Sequence, residues 1–273
     1  MRRLRRYYEC VLYGPSLAST LIERIRRLPE VNLAKVMNGL PILIVAPHPD
    51  DESLGCGGLI AQATALGEPV HIVVVTDGTG SHPRSSTHSR NMLRDLRRCE
   101  TLEAAAALGV PAERVSFLDV PDGQAPQSGK GARAVGQRLA SLARDIAAET
   151  IFTSWNYDTH SDHVATHKYA HIAAYETQAS LFSYPVWAWM LPRNTIMPNL
   201  RLKGFSINIG PYVTMKRAAV LKHRSQTTSM IADDPSGFSL SEEQLAAMIT
   251  SKEFFIAENR RARGFEPGRK LRV

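Results

Sequence analysis

Hydrophobic residues in the first two-thirds of the chain fall into short uninterrupted runs, which alternate with longer segments of helical periodicity. Strands of a parallel sheet are buried on both faces and therefore have this continuous apolar pattern. We predict strands at 42–46, 70–76, 115–118 and 151–154, and helices at 57–66, 91–108, 132–148 and 162–178. The alternation predicts a single α/β domain with a Rossmann-like, mainly parallel sheet and helices on both of its faces.

The N-terminal part of the chain has a different pattern. Within residues 7–40, apolar residues recur at helical spacing at Leu17, Leu21, Ile25 and Leu28. We therefore predict a helical extension, with charged residues on its other side. We expect it to pack on the domain or on a second subunit, so a homo-oligomer stays open, as does peripheral membrane contact through its basic side.

The regularity of the pattern also weakens beyond residue 181. There the sequence predicts a strand at 204–209 and helices at 215–223 and 242–249. No linker or internal repeat interrupts the chain. We divide it into an N-terminal helical extension at 1–40, a main α/β domain at 41–259 and a basic C-terminal tail at 260–273.

Composition and charge limit the classes of protein and partner. The chain has 273 residues, of which 44% are hydrophobic, enough for a sizeable core. The net charge is +7, and much of it comes from arginines at the two ends. We interpret these ends as solvated, because no aromatic stacking ladder or recognition motif accompanies the charge, and we do not predict a nucleic-acid partner.

Three features predict a cytoplasmic protein. No apolar stretch approaches the ~20 residues that a membrane helix needs. The N-terminal residues lack the layout of a secretory signal. The chain has 3 cysteines and none of them lies in a C-x-x-C motif, which favours a reducing compartment.

Ionisable residues are concentrated directly after the first predicted strand. His48, Asp50, Asp51 and Glu52 lie there, just before a glycine-rich stretch. Ligands of open α/β sheets bind beyond the carboxyl ends of the strands, and carboxylates gathered there need a positive charge, most simply a metal ion. The alternative is structural, because proline and aspartate also form turns and helix N-caps.

A second cluster follows the fourth predicted strand, at the same expected edge of the sheet. His160, Asp162 and His163 lie close together there, and histidine nitrogens with a carboxylate oxygen are typical ligands of catalytic zinc. Together the two clusters predict a metal site. A rival grouping is His163, His167 and His171, which share one face of a predicted helix. We favour His163 alone and keep His167 as the reserve ligand.

With these motifs the chain resembles the PIG-L/LmbE family of zinc-dependent N-acetylglucosaminyl deacetylases. Residues 47–52 match the family's [AP]-H-P-D-D-E box, and residues 160–163 match its H-x-D-H box. Between them, residues 97–109 resemble its R-x-x-E helix and residues 119–123 its D-x-x-D-G loop. The resemblance extends over roughly residues 41–225 and implies the LmbE-like fold.

The resemblance implies a role for each residue of the two boxes. His48, Asp51 and His163 would bind one Zn²⁺ per chain, or another divalent transition metal. Asp50 would be the general base, and His160 would be the acid or the cation that stabilises the oxyanion. The chemistry agrees, because zinc acidifies bound water and a neighbouring carboxylate accepts its proton.

Five further residues are weaker candidates for supporting the site or binding substrate. We expect Glu52 to stabilise the turn, Asp162 to orient a histidine and Asp122 to shape a loop at the rim. Arg97 would contact a sugar hydroxyl or the product carboxylate, or else form a salt bridge along its own helix. His223 lies in a segment similar to a late family motif and would approach the pocket.

The rim of the pocket is expected to come from three loops, roughly at 77–90, 120–131 and 185–203. The aromatic stretch that contains Tyr184 and Trp187 favours core packing, with a sugar-stacking wall as the alternative.

The implied reaction is hydrolysis of an N-acyl group, most simply N-acetyl, from a glucosamine-containing small molecule or glycan. A second hypothesis keeps the metal, because some relatives of this fold hydrate small unsaturated carboxylic acids, and arginines clustered in the pocket would favour that reaction. A third is a non-enzymatic binding module, which the complete metal and base positions argue against.

Overall fold

The computed structural model describes residues 15–36 and 39–259 of the chain. Within these ranges the strands are β1 (Pro15–Leu17), β2 (Glu30–Val31), β3 (Ile42–Ala46), β4 (Val70–Thr76), β5 (Val115–Val120), β6 (Thr150–Ser154), β7 (Ser180–Tyr184), β8 (Ile196–Pro198), β9 (Gly204–Asn208) and β10 (Lys252–Ala257). The α-helices are α1 (Ala18–Arg26), α2 (Leu33–Val36), α3 (Asp51–Ala65), α4 (Arg90–Ala107), α5 (Gly129–Asp145), α6 (Ser161–Thr177), α7 (Val213–Val220), α8 (Arg224–Thr227) and α9 (Glu242–Met248).

Most of the described strands belong to one sheet, in the order β2–β9–β10–β7–β6–β3–β4–β5. The strands from β7 to β5 pair in parallel, whereas β10 pairs antiparallel with both β7 and β9. Strands β1 and β8 form a separate antiparallel ribbon. The predicted α/β fold, with a mainly parallel sheet in a single domain, is confirmed.

Strand β3 is the centre of the parallel part of the sheet. It pairs with β4 on one side and with β6 on the other, so the chain builds the sheet first towards β5 and then towards β7. In open α/β sheets, ligands bind at such a switch point, beyond the carboxyl ends of the strands. Both predicted clusters of ionisable residues lie there, because one follows β3 and the other follows β6.

The continuous apolar run of β3 is explained by burial on both faces. Ile42 and Ile44 pack into a core with residues of α3 and α4. Leu43 and Val45 pack into a second core with residues of α5 and α6. Successive side chains of a strand point to opposite faces, so two helical layers hold the strand that leads into the site.

Helix α3 begins at Asp51, whereas the sequence analysis placed its start at residue 57. The N–H groups of Ser53 and Leu54 already donate to the carbonyl oxygen of Asp50. Acidic residues in the first turn also suit a helix N-terminus. The glycines lie inside the helix because packing demands them: a Cβ on Gly55 would lie 2.1 Å from the ring of Tyr184.

Strands β7 and β10 were not predicted. Their segments mix serine or charged residues with aromatics, so neither a continuous apolar run nor strict alternation stands out. Strand β7 forms because β6 offers it a parallel partner, and β10 forms between β7 and β9.

The predicted helical extension at 7–40 is only partly helical in the described residues. Leu21 and Ile25 are buried in α1, but Leu17 lies in β1 and is 47% exposed. Strand β2 joins the main sheet by pairing with β9. The local pattern could not predict these strands because their partners lie far along the chain. The arginines at residues 2–6 and the tail from 260 lie outside the described residues.

The apolar side of α1 packs on the domain, in a cluster with Trp155 and Ala188. One of its basic residues is also engaged there, because Arg24 donates to Oδ1 of Asn199 at 2.8 Å. Among the helices of the described residues, none is long and apolar enough to cross a membrane.

Candidate metal and catalytic site

The three predicted metal ligands lie together where β3 and β6 end. His48 follows β3, Asp51 is the first residue of α3, and His163 is in the first turn of α6. Oδ2 of Asp51 lies 3.2 Å from Nδ1 of His48 and 3.2 Å from Nε2 of His163. One ligand atom from each of the three lies within 4.8 Å of the others. Residues from two distant clusters therefore form one donor set.

His163 presents a nitrogen that suits a metal ion. Its Nε2 atom is buried and makes no hydrogen bond, although it lies 3.2 Å from Oδ2 of Asp51. Its Nδ1 atom lies 2.9 Å from Oδ2 of Asp158, to which it donates. With that proton on Nδ1, the lone pair of Nε2 is available to an ion. Two imidazoles and one carboxylate are a common donor set for zinc, so these residues fit the group.

The charges in this donor set depend strongly on one another. Burial would raise the pKa of Asp51, but the charges of His163 and His48 hold it well below its usual range. Burial lowers the pKa of His163, but Asp51 and Asp158 outweigh this effect and raise it to about 9. These ligands bind metals in their deprotonated form, so a divalent cation would take the place of the protons.

Asp158, which the sequence analysis did not single out, orients His163. Besides the imidazole, its carboxylate accepts hydrogen bonds from the backbone N–H groups of Ala188 at 2.9 Å and Val186 at 3.1 Å. The signal in the sequence was an aspartate 5 residues before the histidine, within the same polar cluster. The path of the loop between β6 and α6 is what brings the two together.

Asp50 occupies a strained turn beside the metal ligands. Its φ of 134° lies in a region that favours glycine, and its N–H donates to Oε2 of Glu52 at 3.0 Å. Burial raises the pKa of Asp50 to about 7, with Arg97 opposing the effect and Asp51 adding to it. A carboxylate with a pKa near neutrality suits a general base.

Arg97 holds this turn from α4. Its Nη2 lies 3.1 Å from Oδ2 of Asp50 and donates to the carbonyl oxygen of Pro49 at 2.5 Å. Its Nη1 donates to the carbonyl oxygen of Gly78 at 2.8 Å. One alternative drawn from the sequence was a salt bridge between Arg97 and Glu100 along α4. The structure has a different arrangement, because Glu100 accepts a hydrogen bond from the N–H of Ser225 at the start of α8.

His160 is the N-cap residue of α6 and lines the same cavity as Asp50. Its Nδ1 accepts a hydrogen bond from the N–H of Asp162 at 3.2 Å, so in the neutral imidazole the proton is on Nε2. Burial lowers the pKa of His160, and the neighbouring charges of His48 and His163 lower it further. The side chain can therefore donate a hydrogen bond from Nε2 while uncharged.

Asp122 and Asp162 lie against the other nitrogen of His48. Nε2 of His48 is 3.2 Å from Oδ1 of Asp122 and 3.4 Å from Oδ2 of Asp162. Backbone N–H groups orient both carboxylates, with Gly80 donating to Asp122 at 2.8 Å and Gly123 donating to Asp162 at 2.7 Å. The structure therefore places both residues around one histidine.

Glu52 and His223 form a fully buried pair behind the turn. Oε1 of Glu52 lies 3.0 Å from Nε2 of His223, and Glu52 also accepts from Oγ of Ser53 at 2.7 Å. Burial lowers the pKa of His223, but Glu52 outweighs the effect and raises it. His223 contacts the turn through Glu52, directly behind the residues that line the cavity, and a direct approach to the pocket stays a prediction.

A cavity of about 200 Å³ opens beside the ligands. Its polar side is formed by the residues described above, and the opposite wall includes Ser81, Gln226, Trp187 and Phe238. The rings of Trp187 and Phe238 meet edge to face at 5.7 Å. Each of the three expected rim loops contributes a lining residue. Trp187 lines the cavity and also packs against the core, so a role in sugar stacking stays a prediction. Tyr184, by contrast, is a core residue.

The reserve ligand His167 lies outside this site. Its Nδ1 lies 3.0 Å from the carbonyl oxygen of Ser154, and it groups with His171 and Glu258. The rival grouping is therefore divided, with His163 in one donor set and the other two histidines in another.

Comparison with known proteins finds a family model that spans this site. Residues 43–174 match the model of the PIG-L family, described as GlcNAc-PI de-N-acetylase. The chain is 31% identical over 153 residues to the 2'-N-acetylparomamine deacetylase of Streptomyces fradiae, which is 51% of this chain and 54% of that protein. It thus spans about half the length of that relative. It is 24% identical to the 1D-myo-inositol 2-acetamido-2-deoxy-alpha-D-glucopyranoside deacetylase of Mycolicibacterium gilvum, over 82% of this chain and 95% of that protein.

Solved structures share the fold. The N,N'-diacetylchitobiose deacetylase of Pyrococcus horikoshii has a TM-score of 0.59 at 21% identity, over 84% of each chain. The 4-carboxy-2-hydroxymuconate hydratase of Pseudomonas putida has a TM-score of 0.54 at 20% identity, over 67% of this chain and 78% of that one. These two likenesses establish the fold alone. Residues 43–174, which match the PIG-L family model, include both boxes, as the resemblance predicted.

Proposed function

We propose that this chain is a metal-dependent N-deacylase, which removes an acyl group, most simply acetyl, from the amino group of a glucosamine-containing molecule. The observation that carries the proposal is the convergence of His48, Asp51 and His163 beside Asp50, a carboxylate with a raised pKa, at one cavity. The family domain and the deacetylase names of the curated relatives support the same chemistry.

His48, Asp51 and His163 would hold one Zn²⁺ or another divalent transition ion. When bound, such an ion supplies a Lewis acid that polarises an amide carbonyl and acidifies water. The protein keeps the two imidazoles in place through carboxylates, with Asp158 on His163 and Asp162 on His48. Carboxylates in this position also raise the basicity of the ligand.

Asp50 accepts the proton of the attacking water. Because its pKa is about 7, much of it is ionised at neutral pH, and its protonated form is acidic enough to give the proton up again. The proton then passes to the departing nitrogen as the C–N bond breaks, which yields a free amine and a carboxylic acid. Glu52 and Arg97 hold the turn that keeps this carboxylate next to Asp51.

His160 stabilises the negative charge that develops on the carbonyl oxygen. Its Nδ1 is engaged by the N–H of Asp162, so Nε2 carries the proton and donates. Since burial and the neighbouring imidazoles lower its pKa, we favour the neutral hydrogen-bond donor over the cationic acid.

The cavity suits the acylated end of an amino sugar. Its volume of about 200 Å³ is below the range of about 300–1,000 Å³ for pockets that enclose a whole drug-sized ligand. Trp187 and Phe238 offer aromatic surface to a sugar ring, and Ser81 and Gln226 offer hydrogen bonds to hydroxyl groups. The rest of a larger acceptor would extend past the rim loops.

The test is a screen of N-acyl amino sugars, in which release of free amine is measured with and without a chelator. We expect release that the chelator abolishes and added Zn²⁺ restores. Asp50→Asn should remove turnover while the metal stays bound. Asp95→Asn, on the exposed side of α4, is the matched control and should keep both. Zinc-loaded protein that releases no carboxylate from any N-acyl amino sugar would contradict the proposal.

The hydratase hypothesis has less support. A pocket for small unsaturated carboxylic acids was expected to contain clustered arginines. Among the described residues that line the cavity, the arginine is Arg97 alone, and it is paired with Asp50. The same screen should include small unsaturated carboxylic acids. Their hydration would be measured as a loss of ultraviolet absorbance, which tests this hypothesis separately.

A further inference from the structure

His167, His171 and Glu258 bring three potential ligand atoms within 4.8 Å of one another, outside the site described above. The two histidines lie one turn apart on α6, and Glu258 directly follows β10. Neither family box contains these residues, and the proposed reaction does not use them. We propose that they form a second metal site, which takes a divalent transition ion such as Zn²⁺.

His167 is fixed in the tautomer that such a site needs. Its Nδ1 lies 3.0 Å from the backbone oxygen of Ser154, and a carbonyl oxygen only accepts hydrogen bonds. Nδ1 therefore carries the proton, and Nε2 presents a lone pair. Nε2 lies 3.8 Å from Oε2 of Glu258, which is too long for a hydrogen bond. Two atoms that each lie about 2.0–2.2 Å from a shared zinc ion are separated by a distance of this order.

The carboxylate of Glu258 is oriented in a similar way. Its Oε1 accepts a hydrogen bond from Oγ of Ser183 at 2.5 Å, and its other oxygen is the one nearest His167. Ser154 and Ser183 lie on the paired strands β6 and β7. The sheet therefore positions both ligands through outer hydrogen bonds, which is a common property of metal sites.

His171 completes the donor set from the same face of α6. The ring centroids of His167 and His171 are 4.7 Å apart. His167 is only 5% exposed, and the side chain of Glu258 is 16% exposed. His171 is half-buried, which leaves the ion a route from solvent.

An ion at this position would join α6 to the segment that follows β10. His163, in the first turn of α6, belongs to the catalytic donor set, so the second ion would brace the helix that carries a catalytic ligand. Because the three ligands come together only in the folded chain, binding should also stabilise the fold.

The test is the metal stoichiometry of the full-length protein. Metal-free protein is titrated with Co²⁺, followed by visible absorption, and with Zn²⁺, followed by calorimetry. We expect about two equivalents in the unaltered protein, and His171→Ala should lose about one of them. His163→Ala should lose the other equivalent and keep the one that depends on His171. His88→Ala, outside both donor sets, is the matched control and should retain both.

Equal stoichiometry and affinity in unaltered and correctly folded His171→Ala protein would overturn the proposal. Circular dichroism checks the fold of each variant. Glu258→Gln, which keeps the size of the side chain, provides a second test and should lose the same equivalent. The readout is bound metal and not turnover. A protein that binds only the ion dependent on His171 would therefore uphold this inference and count against the proposed catalytic site.

Discussion

Arg97 and Asp50 form a buried ion pair, with Nη2 of the guanidinium 3.1 Å from Oδ2 of the carboxylate. The same guanidinium donates to the carbonyl oxygens of Pro49 and Gly78. Arg97 thus holds the strained turn at Asp50 and also lowers the pKa of Asp50, against the burial that raises it to about 7. This pair therefore sets the ionised fraction of the proposed base at neutral pH.

Activity should decline as the pH falls through the pKa of Asp50, which is about 7 without a metal ion and which a bound cation would lower. Only the deprotonated carboxylate can accept a proton from water, so its protonation removes the base. The measurement is kcat/KM between about pH 5 and pH 9, with Zn²⁺ in excess so that metal loss does not contribute. An activity that stays constant from pH 8 down to pH 5 would contradict the assignment of Asp50.

Arg97→Gln should move this acidic limb to higher pH. The positive charge that lowers the pKa of Asp50 is lost, and such charges are worth about one to three pH units beside a carboxylate. Activity at neutral pH should therefore fall by about tenfold or more, with bound metal retained. Arg98→Gln is the matched control, because Arg98 is the next residue on α4 but pairs with Asp119 at the surface. An unmoved pH profile in Arg97→Gln would show that this arginine does not act through Asp50.

Asp158→Asn should weaken metal binding by about 10- to 100-fold. The amide keeps the shape and one acceptor for the N–H of Ala188, but it removes the charge that holds His163 in its metal-binding tautomer. The measurement is Zn²⁺ affinity by competition with a chelating dye. Asp145→Asn, at the exposed end of α5, is the control and should leave affinity unchanged. Equal Zn²⁺ affinities in the two variants would show that Asp158 does not support metal binding.

Gly55→Ala should destabilise the fold. The new Cβ would lie 2.1 Å from a ring carbon of Tyr184, because Gly55 is buried within α3 and Tyr184 is buried in the core against it. Overpacking of this kind costs typically about 1–3 kcal/mol of unfolding free energy. Urea denaturation measures the loss. Gly131→Ala, on the exposed side of α5, meets only the Pro126 side chain at 3.1 Å and should cost less.

Lys216→Met should also destabilise the fold. Nζ of Lys216 lies 2.7 Å from Oε1 of Glu253, and this carboxylate also accepts from the N–H groups of Gly58 and Leu59 in α3. Removal of one partner leaves a buried charge, which costs about 3–5 kcal/mol.

Lys252→Met is the matched control for this prediction. Lys252 pairs with Glu30 at 2.7 Å, but both side chains are nearly half exposed. Exposed pairs contribute less than about 1 kcal/mol. Similar unfolding free energies for the two lysine variants would show that the buried pair does not stabilise α3.

Local sequence was sufficient for the parallel core and for the position of the two ionisable clusters. Strand β3 is recognisable because both of its faces are buried, which makes every position apolar. The carboxyl ends of neighbouring parallel strands meet at one edge of the sheet, which predicted that the two ionisable clusters lie together. The choice of His48, Asp51 and His163 within them came from the family resemblance. The family boxes are contiguous in the chain, so the resemblance also needed no tertiary information.

The remaining features depend on contacts between distant segments, which no local pattern contains. Two buried pairs could not be predicted because their members lie far apart in the sequence. Glu52 pairs with His223, 171 residues away, and Asp50 pairs with Arg97, 47 residues away. Strands β7 and β10 have mixed polarity and form because neighbouring strands supply partners. The helical spacing of His163, His167 and His171 is plain in the sequence. Their separation into two donor sets arises because Asp51 lies beside the first and Glu258 beside the other two.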